Sequence, residues 1–469
     1  MPGPTCLPRR LGALACAAAL SLLAACGGGD GGSSSNGPPA ASCSEAARKQ
    51  WVLDVAREWY LFQDSLPATV NLGSYATADE LLDALTAAAR AEGKDRYFSY
   101  LTTRAAENAL LGQGEFIGFG FRNRTDDGNR PFVLDVYEGS PAAEQGLQRG
   151  DEIVAVDEGN GFVPVAESLV GGKTLSDLLG AAEAGVRRGL RLLHAGAQRE
   201  IYMTKRTVTI DPVPAYGVQV LDFGGVPSVG YLHLRSYISP ADPQLVDAFG
   251  AFAGLRYFIV DLRYNGGGLV STADLINNLL GAALVGEVQY RMVHNAAKSQ
   301  QNSTVRFAPR AQSAAPVRIA FLTTEATASA SEININSMQP WVDAALIGSD
   351  TYGKPVGQLA FDLGGCEDRL RLVAFKTVNA LDQGDYYDGL ASTFGTTCAA
   401  ADTLDAPLGS PDDTLVRTAL GWLGGNEATT CTPMAASPGA QAKPLQEPET
   451  RYPRPLQPTP AEHWLPGVN

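Results

Sequence analysis

Residues 327–333 of this 469-residue chain read Thr-Ala-Ser-Ala-Ser-Glu-Ile, and residues 351–358 read Thr-Tyr-Gly-Lys-Pro-Val-Gly-Gln. The apolar run from Val317 to Leu322 predicts a buried strand, and the small residues after it lead into a helix that begins near Ser329. A serine at a strand-to-helix junction can present its hydroxyl to a cleft, and the helix N-terminus offers positive potential to a developing oxyanion. The first segment therefore predicts a nucleophilic serine.

Strand-like and helix-like runs alternate around this segment, from about residue 207 to residue 425. The runs typical of strands are 229–234, 257–261, 317–322 and 344–348, and the helical runs are 240–251 and 272–280. Alternating strands and helices predict an α/β core with a largely parallel sheet.

Two further regions precede this core. Apolar residues recur at helical spacing from Cys43 to about Leu110, and Thr77 with Glu80 fits a capping box, which predicts a small helical cap. Residues 112–205 change to strand-like runs separated by glycine-rich turns, with a helix predicted over 175–184.

The second region resembles a PDZ domain. Gly118-Phe119-Gly120-Phe121 stands where that family has its carboxylate-binding loop, and Ser-Pro-Ala-Ala and Leu-x-x-Gly-Asp signatures follow it. Successive backbone N–H groups in a glycine loop make a nest for a carboxylate, and the adjacent strand edge can pair with a peptide. The resemblance implies that Gly118, Phe119, Gly120 and Phe121 bind polypeptide C-termini.

The two quoted segments resemble the C-terminal-processing (tail-specific) serine proteases, peptidase family S41. In that family the nucleophile lies three residues before the glutamate, the general-base lysine 25 residues later, and an orienting glutamine four residues beyond the lysine. These positions are Ser329, Lys354 and Gln358. Ser331 also fits a nucleophile locally, but the spacing to the lysine favours Ser329. Glu332 and Thr351 match family positions that support the site.

The catalytic hypothesis requires that the pKa of Lys354 be lowered. A lysine acts as a base near neutral pH only if its pKa falls from about 10.4 by roughly 3 units, which costs about 4 kcal/mol and must come mainly from desolvation. The competing interpretation is a surface lysine in a salt bridge.

An oxyanion hole needs two N–H donors. The Ala330 N–H is the first candidate, and the second comes from residues 261–268, Asp-Leu-Arg-Tyr-Asn-Gly-Gly-Gly, which resemble a glycine-rich motif of the family. Gly266 or Gly267 would present the donor, and Gly266 is favoured. A triple glycine on its own indicates only a tight turn. Asp261 and Arg263 are predicted to be structural partners.

The N-terminal residues predict export. Arg9 and Arg10 precede an apolar run, and Leu-Ala-Ala-Cys at 23–26 resembles a bacterial lipobox, which implies cleavage before Cys26 and acylation of its thiol. Plain secretion with cleavage near Ala25 is the alternative. The Gly/Ser/Pro-rich run to residue 42 predicts a flexible tether. Glycine after Cys26 resembles outer-membrane sorting, so a periplasm-facing lipid anchor is expected.

Charge and cysteine content limit the partners. The net charge is −14, so a basic footprint for nucleic acid is absent. Cys43, Cys366, Cys398 and Cys431 permit two disulfides in three connectivities, with Cys366–Cys398 as the first guess. No cysteine or histidine cluster indicates a metal, and no cofactor is predicted.

The sequence thus predicts a multidomain α/β protein with a helical cap, a β-rich PDZ domain and a ClpP/crotonase-like protease core. The predicted boundaries are 1–25 signal peptide, 26–42 tether, 43–111 helical domain, 112–206 PDZ domain, 207–425 protease core and 426–469 Pro-rich tail. The predicted function is a serine endopeptidase of exported polypeptides whose PDZ domain recruits C-termini or gates the cleft. A non-catalytic PDZ lipoprotein and a hydrolase of a small ester or amide are the alternatives. The oligomeric state is open.

Overall fold

The computed structural model describes residues 43–170, 173–222, 228–426, 431–434, 465 and 467–469. The predicted signal segment, the tether with Cys26, and most of the Pro-rich tail lie outside the described residues. Within the described ranges, no helix is both long enough and apolar enough to cross a bilayer.

The helices in this part of the chain are, in chain order, α1 (Glu45–Trp59), α2 (Ala78–Ala91), α3 (Arg104–Glu107), α4 (Pro141–Glu144), α5 (Val165–Val170), α6 (Leu175–Leu179), α7 (Ala241–Ala251), α8 (Val270–Leu280), α9 (Ala330–Met338) and α10 (Thr414–Leu423). The strands are β1 (Tyr100–Thr103), β2 (Glu115–Gly118), β3 (Phe121–Thr125), β4 (Pro131–Val136), β5 (Glu152–Asp157), β6 (Phe162–Pro164), β7 (Arg187–His194), β8 (Ala197–Thr204), β9 (Arg206–Thr209), β10 (Val218–Leu221), β11 (Val229–His233), β12 (Tyr257–Asp261), β13 (Val288–His294), β14 (Ser303–Arg306), β15 (Arg318–Thr323), β16 (Asp343–Gly348), β17 (Val356–Asp362), β18 (Asp368–Val378) and β19 (Thr397–Ala399).

The N-terminal region is built on α1 and α2, which begin at side-chain caps. Thr77 Oγ1 accepts a hydrogen bond from the Glu80 N–H at 3.2 Å, while the Glu80 carboxylate accepts from the Ala76 N–H rather than from Thr77. The predicted capping box is therefore only half formed. The region is mainly helical and also contains β1, which pairs antiparallel with β18 and which the sequence did not indicate. A partner strand this far along the chain leaves no local sequence signal.

The PDZ region is a sheet of order β3-β4-β5-β7-β8, with β6 on β5, beside the pair β2–β9. Its apolar core includes Phe119 and Phe121. Helix α6 ends at Leu179 rather than at the predicted Ala184, because Gly180 adopts a φ of +78° and stops the helix.

The core sheet has the order β10-β11-β12-β15-β16-β19, and every neighbouring pair except β10–β11 is parallel. Alternate residues of its strands point to opposite faces. Phe258 and Val260 pack with α7, α8 and α9, whereas Ile259 packs with α10. The predicted parallel α/β core is confirmed.

A second sheet was not anticipated. It is antiparallel, with the order β1-β18-β13-β14 and with β17 on β18. Its apolar residues Leu370 and Leu372 pack against α1 and α2, so this sheet joins the N-terminal helices to the core.

The disulfides are Cys43–Cys366 and Cys398–Cys431, with Cα–Cα distances of 5.8 and 4.4 Å. The guess of a Cys366–Cys398 pair is therefore wrong. Cys398 lies on β19 at the edge of the core sheet, whereas Cys366 lies in the turn between β17 and β18 of the other sheet. The prediction failed because Cys366 and Cys398, although close in sequence, belong to different sheets.

Candidate active site

Ser329 lies between β15 and α9, with φ +56° and ψ −114° and only 5% of its surface exposed. A left-handed φ is uncommon for a non-glycine residue and persists only where the surroundings impose it. They do so here: Thr327 Oγ1 donates to the Leu262 carbonyl at 2.8 Å, and the Ala328 N–H donates to the Asn265 carbonyl at 3.0 Å. The turn is thus held against the loop that follows β12.

Glu332, in the first turn of α9, connects Ser329 to residues 351–354, which we call the lysine loop. Its Oε2 accepts from the Ser329 N–H at 2.9 Å and from the Lys354 N–H at 2.8 Å. Its Oε1 accepts from the Gly353 N–H and the Thr351 hydroxyl, both at 2.7 Å. Burial raises the pKa of Glu332, and the four donors oppose that shift. One carboxylate therefore holds the backbones of Ser329 and Lys354 side by side.

The Lys354 side chain is buried, with 7% of the residue exposed. Burial lowers the pKa of its ammonium to about 8, against a smaller opposing effect of the carboxylates of Asp95 and Glu332. Its Nζ lies 4.7 Å from the centre of the Phe98 ring. Burial thus shifts the pKa of this lysine in the direction that the catalytic hypothesis requires.

Gln358 lies on β17, and its amide nitrogen donates to the Phe98 carbonyl at 2.8 Å. Because the amide nitrogen of Gln358 is engaged in this bond, its amide oxygen is the atom that can accept a hydrogen bond from another group. Lys354 and Gln358 thus both contact Phe98, a residue that belongs to none of the sequence motifs.

Arg96, two residues before Phe98, fixes the lysine loop from the other side. Its guanidinium donates to the Tyr352 and Gly353 carbonyls at 2.9 and 2.5 Å and lies 4.2 Å from the Tyr352 ring centre. The aromatic run around residues 97–100 was the only sequence signal, and it carries no motif.

The glycine-rich loop lies against Ser329. A Cβ on Gly267, whose φ is +102°, would lie 2.9 Å from the Ala328 oxygen, the Ala330 nitrogen and the Ser329 Cβ. The Gly267 N–H donates to Asn265 Oδ1 at 2.9 Å, while no bond of the Gly266 N–H is found among the described residues. Of the two glycines, Gly267 therefore has its N–H engaged within the loop, and it lies against the turn that contains Ala330, the first residue of α9.

Ser331, the rival nucleophile, is fully buried, and its hydroxyl donates to the Asn265 carbonyl at 3.0 Å. It fastens the glycine loop to α9. Its hydroxyl proton is already engaged, so this geometry favours Ser329.

Asp261 and Arg263 form a buried ion pair in which Nη2 lies 2.6 Å from the carboxylate, and Arg263 also contacts Asp413 at 2.8 Å. Burial opposes ionisation of Asp261, yet the guanidinium holds the pKa of that carboxyl well below its usual range. Arg263 thereby joins the end of β12 to the N-cap residue of α10, which is a structural arrangement.

In the PDZ region, the Gly120 and Phe121 N–H groups donate to the backbone oxygen of Asn469 at 2.7 and 3.1 Å. A Cβ on Gly118 would lie 2.8 Å from the Asn469 carbonyl carbon. Phe119 is buried in the domain core. The predicted loop therefore lies against a backbone oxygen of the same chain.

Ser329 at a positive-φ turn and Lys354, whose backbones are joined through Glu332, thus lie with a glycine loop on an α/β core. Residues 228–386 match the family model described as Peptidase family S41, residues 47–100 match the Peptidase S41 N-terminal domain, and residues 132–158 match a PDZ domain. Two segments of the chain, residues 47–100 and 228–386, therefore match models of peptidase family S41.

Two curated relatives carry related names. The carboxyl-terminal-processing protease of Synechocystis is 29% identical over 259 residues, which are 53% of this chain and 56% of the relative. The chloroplastic carboxyl-terminal-processing peptidase 1 of Arabidopsis thaliana is 29% identical over 252 residues, 53% and 49% of the two chains. The chain thus spans about half the length of the curated relatives it matches.

Among solved structures, a putative S41 protease from Bacteroides fragilis superposes with a TM-score of 0.62 at 24% identity. The match covers 80% of this chain and 97% of that one. This likeness shows a shared fold.

Proposed function

We propose that the chain is a serine endopeptidase that hydrolyses exported polypeptides, with Ser329 as nucleophile, Lys354 as general base and Gln358 as its orienting partner. The observation that carries the proposal is the Glu332 carboxylate. It binds the backbone N–H groups of Ser329 and Lys354 on one oxygen, in a place where burial lowers the lysine pKa to about 8.

The chemistry follows from these groups. Neutral Lys354 Nζ takes the Ser329 proton as Oγ attacks the peptide carbonyl, and the oxyanion is stabilised by the N–H groups of Gly266 and Ala330. The resulting ammonium returns the proton to the leaving amine, so the C–N bond breaks and an acyl-enzyme remains. Lys354 then takes a proton from a water molecule as its oxygen attacks the acyl carbonyl, and it returns that proton to Ser329 Oγ as the ester bond breaks, which frees the acid and restores both groups.

The PDZ region would bring polypeptide C-termini to this site or gate it. Backbone N–H groups at Gly120 and Phe121 are suited to a carboxylate, and β3 offers an edge for strand addition. The two disulfides support an oxidising compartment. A lipid anchor at Cys26 would then hold the enzyme at the envelope, facing the periplasm from the outer membrane.

The base hypothesis predicts a pH profile. Only neutral Lys354 accepts a proton, so kcat/KM should rise through an apparent pKa of about 8 and level off above it. Between pH 7 and pH 9 the neutral fraction, and with it kcat/KM, should rise roughly tenfold. Initial rates on a fluorogenic peptide, at constant ionic strength, measure the profile. A flat profile from pH 6.5 to 9.5 would contradict the assignment of the base.

The proposed function is tested with one quenched peptide in two forms, with a free apolar C-terminus and with the same terminus amidated. Amidation removes a charge-assisted contact worth about 1.5–3 kcal/mol, so kcat/KM should fall roughly ten- to hundredfold for the amide. Ser329→Ala protein is the control for contaminating proteases and should cleave neither form.

Three outcomes separate the hypotheses. Equal cleavage of acid and amide would remove carboxylate capture but leave the endopeptidase. Binding of the acid without cleavage of any peptide would favour the non-catalytic PDZ lipoprotein. Cleavage that persists in Ser329→Ala protein would refute the nucleophile.

A further inference from the structure

A segment of the chain itself lies along the edge of the PDZ sheet. The Asn469 N–H donates to the Phe121 carbonyl at 2.9 Å, and the Asn123 N–H donates to the Gly467 carbonyl at 2.9 Å. Arg122 and Val468 face each other in antiparallel register. Together with the two bonds from Gly120 and Phe121 to the Asn469 oxygen, these contacts add one short strand to the sheet beside β3. An edge strand binds an extended peptide in the same way.

The side chains of this segment are buried as well. We call Leu465 with Gly467–Asn469 the groove segment. Leu465 is 0% and Val468 is 6% exposed. Both pack in one apolar cluster with residues from β2, β9 and the adjoining loops, namely Leu110, Leu111, Phe116, Tyr137, Val208, Ile210 and Ile238.

The fit depends on glycine at a contact point. Gly467 has a φ of +71°, and a Cβ there would lie 2.1 Å from the Asn123 oxygen. Glycine adopts that conformation without penalty and lets two backbones approach closely. The segment therefore matches the groove in hydrogen bonds, in apolar burial and in shape.

We propose that the groove segment is an intramolecular ligand of the PDZ groove, which an incoming polypeptide C-terminus must displace. This inference rests on the proposed function only for the identity of the competitor. The N–H groups of Gly120, Phe121 and Asn123 each donate a hydrogen bond to a backbone oxygen of the groove segment. A substrate tail cannot use them until the segment leaves.

The size of the effect follows from competition within one chain. A tethered ligand acts at an effective concentration on the order of 1 mM, so a segment whose own Kd is about 100 µM closes the groove roughly nine times in ten. The apparent affinity for an external peptide equals its intrinsic affinity multiplied by the fraction of molecules whose groove is open. Release of the segment should therefore strengthen external binding about tenfold.

The test compares Gly467→Ala with the matched control Gly93→Ala, both in Ser329→Ala protein so that no peptide is consumed. Gly93 has a φ of +73°, and a Cβ there would meet no atom within 4 Å, so the control carries the same backbone strain without the clash. Hydrogen–deuterium exchange is followed by mass spectrometry at the amides of Gly120, Phe121 and Asn123. In parallel, anisotropy measures binding of a labelled peptide, Leu-Pro-Gly-Val-Asn with a free carboxylate.

We expect the three amides to exchange at least tenfold faster in Gly467→Ala than in the control, and the peptide to bind about tenfold more tightly. Equal exchange in parent, control and variant would overturn the proposal. Protection that grows with protein concentration would also overturn it, because the occupant would then belong to a second copy. Faster exchange without any peptide binding would support the intramolecular ligand and count instead against carboxylate recruitment.

Discussion

Ser329→Ala protein is expected to keep its fold and lose at least about 10³-fold in kcat/KM on peptide substrates. Lys354→Ala should lose as much, and the double variant should be little worse than either, because the two groups act in one proton transfer. Lys354→Arg should fail as well, since a guanidinium keeps its proton at neutral pH. Steady-state rates, with melting curves for every variant, measure the effect.

Ser331→Ala is the matched serine control. It removes the bond to the Asn265 carbonyl, so it should cost about 1 kcal/mol of stability and only a modest part of the activity. Comparable turnover by Ser329→Ala and the parent protein, or a far larger loss in Ser331→Ala at unchanged melting temperature, would transfer the nucleophile's role to Ser331.

Gly267→Ala is expected to reduce kcat by about 10²–10³-fold, the range seen when an oxyanion donor is lost. The added Cβ would lie 2.9 Å from backbone atoms of Ala328 and Ala330 and from the Ser329 Cβ, so the loop or the nucleophile must move. Since a shift of this kind misaligns the donors with the oxyanion, KM should change less than kcat. Single-turnover rates at saturating peptide give the comparison.

Gly159→Ala is the control for the backbone strain that alanine introduces at a position with a positive φ. Gly159 has a φ of +115°, and a Cβ there would meet no atom within 4 Å, so its strain is similar and its surroundings are open. It should lose stability but keep kcat. Full activity in Gly267→Ala would show that the glycine loop does not shape the oxyanion site.

The sequence indicated Ser329 and Lys354 as the proposed nucleophile and base because the signals for both are local. The Ser-Ala-Ser-Glu run sets the turn before α9, and the lysine follows at fixed spacing on a loop that Glu332 binds. The choice of Gly266 over Gly267 as oxyanion donor stays a prediction, and the bond from the Gly267 N–H to Asn265 is consistent with it.

The missed features are non-local. Phe98 shields Lys354 only because β1 pairs with β18 and places residues 95–99 beside the lysine loop. The groove segment was equally invisible, because its fit depends on the edge of β3, more than 300 residues earlier in the chain. Pairings of this kind depend on the partner's position, which periodicity does not encode.

The Cys43–Cys366 bridge has a mechanical consequence. Cys43 lies two residues before α1, and the bridge joins it covalently to the turn between β17 and β18. Tension applied at Cys43 would divide between α1 and the antiparallel sheet, instead of pulling α1 away alone. Reduction of that bridge should therefore lower the force needed to unravel the N-terminal helices, and with them the residues that shield Lys354.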